Sequence, residues 1–94
     1  MLPATQIFVG LLPDGRKQTS TVYTFAKAGD ELPMHEHTFW HDCKVVIGGV
    51  RIYNDDKSIT IGMGEVAGLK ANQKHAIVAT EDSTITVNTN EPGQ

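Results

Sequence analysis

Residues 29–48 read GDELPMHEHTFWHDCKVVIG, and this stretch holds three of the four histidines in the chain. They are His35, His37 and His41, and the fourth is His75. Residues two apart in a β-strand point to the same side, so His35 and His37 share a face, and His41 keeps that parity if the register continues. Because imidazole is a common transition-metal ligand, the pattern predicts a metal site. His75 opens the apolar run 76–79 and is placed to supply a fourth ligand.

The rest of the chain indicates strands and turns. Segments 18–26, 44–47 and 83–88 are rich in the β-branched and aromatic residues that fit a pleated surface. Residues 49–63 hold two short apolar stretches around Asn-Asp-Asp-Lys, which is typical of a hairpin. No segment repeats its apolar residues with the period of an amphipathic helix. We therefore predict an all-β fold, either a sandwich or a small barrel.

Length and composition limit the function classes. The 94 residues allow one domain, and no linker or low-complexity tract interrupts them. The net charge of −3 argues against a nucleic-acid partner held on a basic face, and no apolar run approaches the roughly 20 residues that span a bilayer. The single cysteine, Cys43, excludes an internal disulfide, and with no secretory signal visible the cytoplasm is the expected location. A core this thin would gain from a metal or a subunit interface.

The histidine-rich stretch resembles the first sequence motif of the cupins. In that motif a glycine is followed by five residues, His-x-His, three or four residues, a glutamate, six residues and a second glycine. Gly29, His35 and His37 fall at the matching positions, and Gly48 closes the motif. His41 stands where the family has its glutamate.

Residues 64–75 resemble the second cupin motif, which runs from a glycine through a proline and a second glycine to a histidine. Gly64 opens it and His75 closes it at the matching distance. Asn72 stands where glycine is usual, which is a mild departure because asparagine tolerates the left-handed conformation. Lys70 stands where proline is usual, and this is the larger departure.

The resemblance, which covers about residues 29–88, implies a cupin-type double-stranded β-helix, that is, a jelly-roll barrel. Residues 1–94 would form a single cupin domain, with 1–17 available for an added strand, motif 1 at 29–48 and motif 2 at 64–75. It also implies a homodimer and one divalent transition metal (Mn, Fe, Ni or Zn). The implied metal ligands are His35, His37, His41 and His75. No catalytic residue beyond them and no organic cofactor is assigned.

Two function classes follow from this resemblance. The first is a metal-dependent enzyme acting on a small organic molecule, with dioxygenase chemistry first and isomerase or lyase chemistry next. Four neutral ligands leave a divalent ion at net +2, which favours anionic or enolate oxygen ligands, and an octahedral shell keeps two positions open. The alternative is a non-catalytic, metal-stabilised module that binds or senses a small molecule. A pocket beside the metal would favour the enzyme, whereas zinc closed by four histidines would be structural.

Parity also predicts the surroundings of His41. The residues that share its side are expected in the barrel interior, mostly as core: Phe39, Cys43, Val45 and Ile47. Trp40 has the opposite parity, so we expect it on the outer face or at a dimer interface rather than in a pocket. Glu36 and Asp42 are expected to be solvated.

Overall fold

The computed structural model describes residues 2–35, 40–70 and 73–90. These residues form strands and turns, so the all-β prediction is confirmed. There are nine described strands: β1 (Ala4–Leu11), β2 (Lys17–Phe25), β3 (Glu31–His35), β4 (His41–Ile47), β5 (Gly49–Tyr53), β6 (Ser58–Gly62), β7 (Val66–Leu69), β8 (His75–Ala79) and β9 (Ser83–Asn90).

The strands form two antiparallel sheets that face each other. One sheet has five strands in the order β1-β2-β9-β4-β7, and the other has four in the order β3-β8-β5-β6. Strands distant in the sequence lie side by side, such as β2 beside β9 and β3 beside β8. This is the predicted jelly-roll arrangement, in which two sheets enclose one core. The described part of the chain includes no helix long and apolar enough to cross a membrane.

The hydrophobic core fills the space between the two sheets. Its largest fully buried side chains include Phe25, Ile77 and Ile85, which come from both sheets. Cys43 and Val45 are also completely buried, as their parity predicted. Burial, and to a lesser degree the neighbouring Asp42 carboxylate, raises the pKa of the Cys43 thiol to about 12, which fits a small core residue rather than a reactive group.

Ile47 does not follow its predicted parity. The side chain is 58% exposed, although it lies two residues beyond the buried Val45. The pairing of β4 with β9 shifts by one residue between these positions, since Val45 pairs with Ile85 but Ile47 pairs with Thr84. This bulge turns Ile47 to the outer face, and an alternating pattern read from one strand contains no sign of it.

The motif glycines occupy left-handed turns. Gly29, Gly48 and Gly64 have φ angles of 90°, 87° and 85°. At Gly48, where β4 passes into β5, a Cβ atom would also collide with the side chain of Ser83 and the carbonyl oxygen of Asp82. The buried Ser83 hydroxyl closes this corner: it accepts from the Gly49 N–H at 3.0 Å and donates to the Gly49 carbonyl at 2.9 Å. Glycine is therefore required here for space as well as for conformation.

The hairpin predicted between the two motifs is confirmed by the pairing of β5 with β6. Its turn is closed by the Asn54 side chain, whose Oδ1 accepts from the N–H groups of Asp56 at 2.9 Å and Lys57 at 2.8 Å. Asparagine side chains favour turns for this reason. The backbone of Lys57 is consequently fixed at one end of the barrel.

Trp40 lies on the outer face, which is one of the two placements that its parity predicted. The side chain is 55% exposed, and its ring lies over Gly68 of β7. A Cβ atom on Gly68 would come within 3.1 Å of the tryptophan ring, so glycine makes room for this contact.

Candidate metal centre and adjoining cavity

His35 and His75 face each other on neighbouring strands. His35 ends β3, His75 begins β8, and the two residues are paired across the ladder. Their ring centroids lie 4.5 Å apart with an interplanar angle of 69°. The four-stranded sheet therefore presents two imidazoles side by side.

A one-residue bulge in β3 determines the direction of His35. Leu32 pairs with Ile77, but His35 pairs with His75, so three steps along β3 match two along β8. In a regular strand, residues three positions apart lie on opposite sides, so His35 would point away from the side of the core-packed Leu32. The bulge instead brings it opposite the buried His75. Pro33 suits this place, because proline lacks the N–H of a regular ladder and occurs at edges and bulges.

His41 reaches the same region from the other sheet. It begins β4, is only 8% exposed, and pairs with Leu69 of β7 and Thr89 of β9. The condition under which His41 would keep the parity of His35, a continued strand register, is not met, since β3 and β4 belong to different sheets. The two histidines instead belong to opposite layers of the barrel.

The shifted pKa of His75 indicates that its imidazole interacts electrostatically with those of His35 and His41. Burial lowers the pKa of His75, and positive charge on His35 lowers it further, with a smaller effect from His41. The hydrogen bond to Gln73 opposes this shift without reversing it. His75 is therefore held as the neutral imidazole at neutral pH, which is the form that coordinates a metal.

Backbone carbonyls fix the tautomers of two of the rings. Nδ1 of His35 lies 2.6 Å from the Pro33 oxygen, and Nδ1 of His75 lies 3.1 Å from the Gln73 oxygen. A carbonyl oxygen only accepts, so each Nδ1 carries the proton and each neutral ring keeps its lone pair on Nε2. Nε2 of His75 is buried. Such outer hydrogen bonds orient metal-binding histidines, so both rings fit a metal ligand.

The described residues do not complete a coordination shell. Across residues 2–35, 40–70 and 73–90, no group of three or more His, Cys, Asp or Glu side chains is arranged to hold a metal ion. The predicted ligand His37 lies outside the described residues, as do Glu36, Phe39 and Asn72. The structure brings His35 and His75 together and places His41 near them, and the four-histidine site stays a prediction.

A cavity of about 170 Å³ opens beside His75. Its apolar wall includes Ile52 and Leu69, which are nearly buried. Its polar lining includes Lys57 from the β5–β6 turn and Lys70 after β7. Sequence reasoning noticed Lys70 only as a departure from the cupin motif and missed Lys57, since strand patterns do not show which turns meet at one end of a barrel.

The comparisons with known proteins agree with this architecture. No protein-family model and no curated protein matches the sequence. Among solved structures, a cupin superfamily protein from Desulfitobacterium hafniense aligns with a TM-score of 0.75 at 20% identity, over 92% of this chain and 76% of that chain. An RmlC-like cupin from Desulfovibrio desulfuricans gives a TM-score of 0.68 at 26% identity, over 90% and 80%. KdgF from a Halomonas species gives 0.74 at 17% identity, over 96% and 81%.

These likenesses, together with the two-sheet topology, show that the chain has the fold of a small cupin domain. The resemblance drawn from the two sequence motifs is thereby confirmed at the level of the fold. Identities this low carry no assignment of activity.

Proposed function

We propose that this chain is a metal-dependent cupin acting on a small organic molecule bound in the cavity beside His75. One observation carries the proposal: His75 belongs both to the group of interacting imidazoles and to the cavity wall. A metal held there would face a space large enough for a small ligand. Reactive centres in proteins commonly combine an apolar pocket with a few convergent polar groups.

The proposed ligands of one divalent transition metal are His35, His37, His41 and His75. A bound ion would supply Lewis-acid polarisation of an oxygen atom on the organic molecule, which suits dioxygenase-type or isomerase/lyase-type chemistry. The chain's own contribution is to hold two imidazoles in the Nδ1–H tautomer through Pro33 and Gln73. Burial keeps His75 neutral, and the wall formed by Ile52 and Leu69 excludes water from one side.

A non-catalytic binding or sensor module is the second candidate. It is favoured by the cavity lining, since the described residues around the cavity include no aspartate or glutamate to serve as a general base. Open coordination positions distinguish the two candidates, because an enzyme of this kind needs them for substrate. Water proton relaxation of the Mn²⁺-loaded protein measures this directly. Rapidly exchanging bound water supports the enzyme, and a shell without exchangeable water contradicts it.

Metal uptake tests the site itself. Native protein, purified without chelators and then offered Mn²⁺, Fe²⁺, Ni²⁺ or Zn²⁺, should take up one ion per chain by elemental analysis. His41→Ala and His75→Ala should each weaken binding by at least about tenfold, since loss of even an outer contact costs roughly 10–100-fold.

Asp42→Asn is the matched control for these variants. Asp42 neighbours His41, but its Oδ1 accepts a hydrogen bond from Asn88 on β9. The metal affinity of the Asp42→Asn variant should equal that of the native protein. Failure of the native protein to take up any of the four ions, or unchanged affinity in His41→Ala, would contradict the proposed centre.

A further inference from the structure

We infer that the cavity beside His75 binds a small organic carboxylate, with the carboxylate group held between Lys57 and Lys70. This inference rests on the proposed function insofar as it treats that cavity as the binding site. Lys57 lies in the β5–β6 turn and Lys70 directly follows β7, so the two cations reach the cavity from different sheets, and both are exposed at its rim. Asn54 fixes the backbone at Lys57 through its Oδ1.

The charge at the cavity is opposite to that of the whole chain. The protein carries a net charge of −3 with eight Lys and Arg residues, yet two lysines line this one cavity. Among the described lining residues no carboxylate balances them. Asp55 and Asp56 lie in the same turn as Lys57, but neither lines the cavity. A locally positive cleft in a negative protein attracts anions selectively to that point.

The other residues that line the cavity indicate the polarity and the size of the rest of the ligand. Ile52 and Leu69 offer an apolar surface, and the side chains of Asn54 and Gln73 offer amide groups. A volume of about 170 Å³ resembles the cavities of about 150 Å³ that hold one benzene molecule, so the ligand has on the order of ten heavy atoms or fewer. A short carbon skeleton with an acid group meets these requirements.

The experiment compares acids with their neutral amides on the metal-loaded protein. Pyruvate, succinate and benzoate are titrated by calorimetry beside pyruvamide, succinamide and benzamide, and inorganic phosphate serves as a further probe. We expect at least one acid to bind and its amide not to. Lys57→Gln and Lys70→Gln should each weaken that binding by about fivefold, as for the loss of one partly exposed charge pair of about 1 kcal/mol. Lys44→Gln, an exposed lysine on the outer side of β4, should bind as the native protein does.

Equal binding of acids and amides, binding of none of the three acids, or no effect of the two lysine variants overturns the inference. Lysine-dependent binding of phosphate alone overturns the carboxylate assignment. The same samples are assayed for metal. Metal uptake without acid binding contradicts only this inference, whereas lysine-dependent acid binding without metal uptake supports it and contradicts the proposed metal centre.

Discussion

Gly48 combines a φ of 87° with a position against Ser83 and the carbonyl of Asp82. Gly15, in the turn between β1 and β2, has nearly the same φ of 86°, but nothing lies near the place of its Cβ atom. Gly48→Ala should lower the free energy of unfolding by roughly 2–4 kcal/mol, from backbone strain and overpacking together. Gly15→Ala should cost only about 1 kcal/mol. Urea unfolding of both variants measures the difference, and equal losses would show that space at Gly48 plays no part.

Spacing within the sequence predicted such single residues well. The resemblance to the two cupin motifs identified Gly29, Gly48 and Gly64, and each has the positive φ that only glycine adopts easily. His35 and His75 were likewise predicted to lie together, and they are directly paired. The glycine positions could be recognised because a left-handed turn favours one residue type at one place, whereas metal binding by the two histidines stays a prediction.

At the scale of the strand, the bulge in β3 controls where His35 points. Insertion of one alanine after Met34 places His35 four positions from Leu32, so neither a regular nor a bulged ladder brings it opposite His75. This variant should keep the β-sheet signal in circular dichroism but lose at least about tenfold in metal affinity, as a displaced ligand would. Deletion of Met34 leaves His35 two positions from Leu32, where a regular ladder again brings it opposite His75, so the deletion variant should bind metal as the native protein does. Native metal affinity in the insertion variant would show that the register of β3 does not direct the ligand.

A side-chain link across the four-stranded sheet gives an alkaline prediction. The Tyr53 hydroxyl on β5 donates to the Glu31 carboxylate on β3, across the intervening strand β8. This hydrogen bond raises the pKa of Tyr53 above its ordinary value of 10.0. Because the fold favours the neutral phenol, the stabilisation is present below pH 10 and is lost as the pH rises above it. Burial raises the pKa of Tyr23, the other tyrosine, as well.

Ultraviolet absorbance of phenolate checks this prediction, since the chain has only two tyrosines. In the native fold both should ionise at higher pH than in urea. Tyr53→Phe should leave a single high-pH transition, from Tyr23, and should reduce the alkaline loss of stability. Glu31→Gln should bring the remaining Tyr53 transition closer to pH 10. A Tyr53 that titrates alike in the native and the Glu31→Gln protein would contradict the link.

The location of the strands followed from residue types, but their registers did not. Segments 18–26, 44–47 and 83–88 all lie within or across observed strands. The two bulges, after Val45 and before His35, were not predicted, because a bulge depends on which strand lies alongside. For this reason the predicted side of Ile47 was wrong. The cavity-lining position of Lys57 was missed because strand patterns do not show which turns meet at one end of the barrel.

At the scale of the whole molecule, the edge strand β1 leaves apolar side chains such as that of Val9 exposed, and a 94-residue chain of this kind should depend on association for part of its stability. If two copies pair through β1, unfolding also separates the subunits, and the thermal midpoint then rises with protein concentration. A tenfold increase contributes about 0.7 kcal/mol per chain, which corresponds to roughly 3–5 °C for a domain of this size. Val9→Lys should remove this dependence and melt at the temperature of the dilute native protein or below. A native midpoint that does not change over a hundredfold concentration range would mean that the fold is complete in one copy.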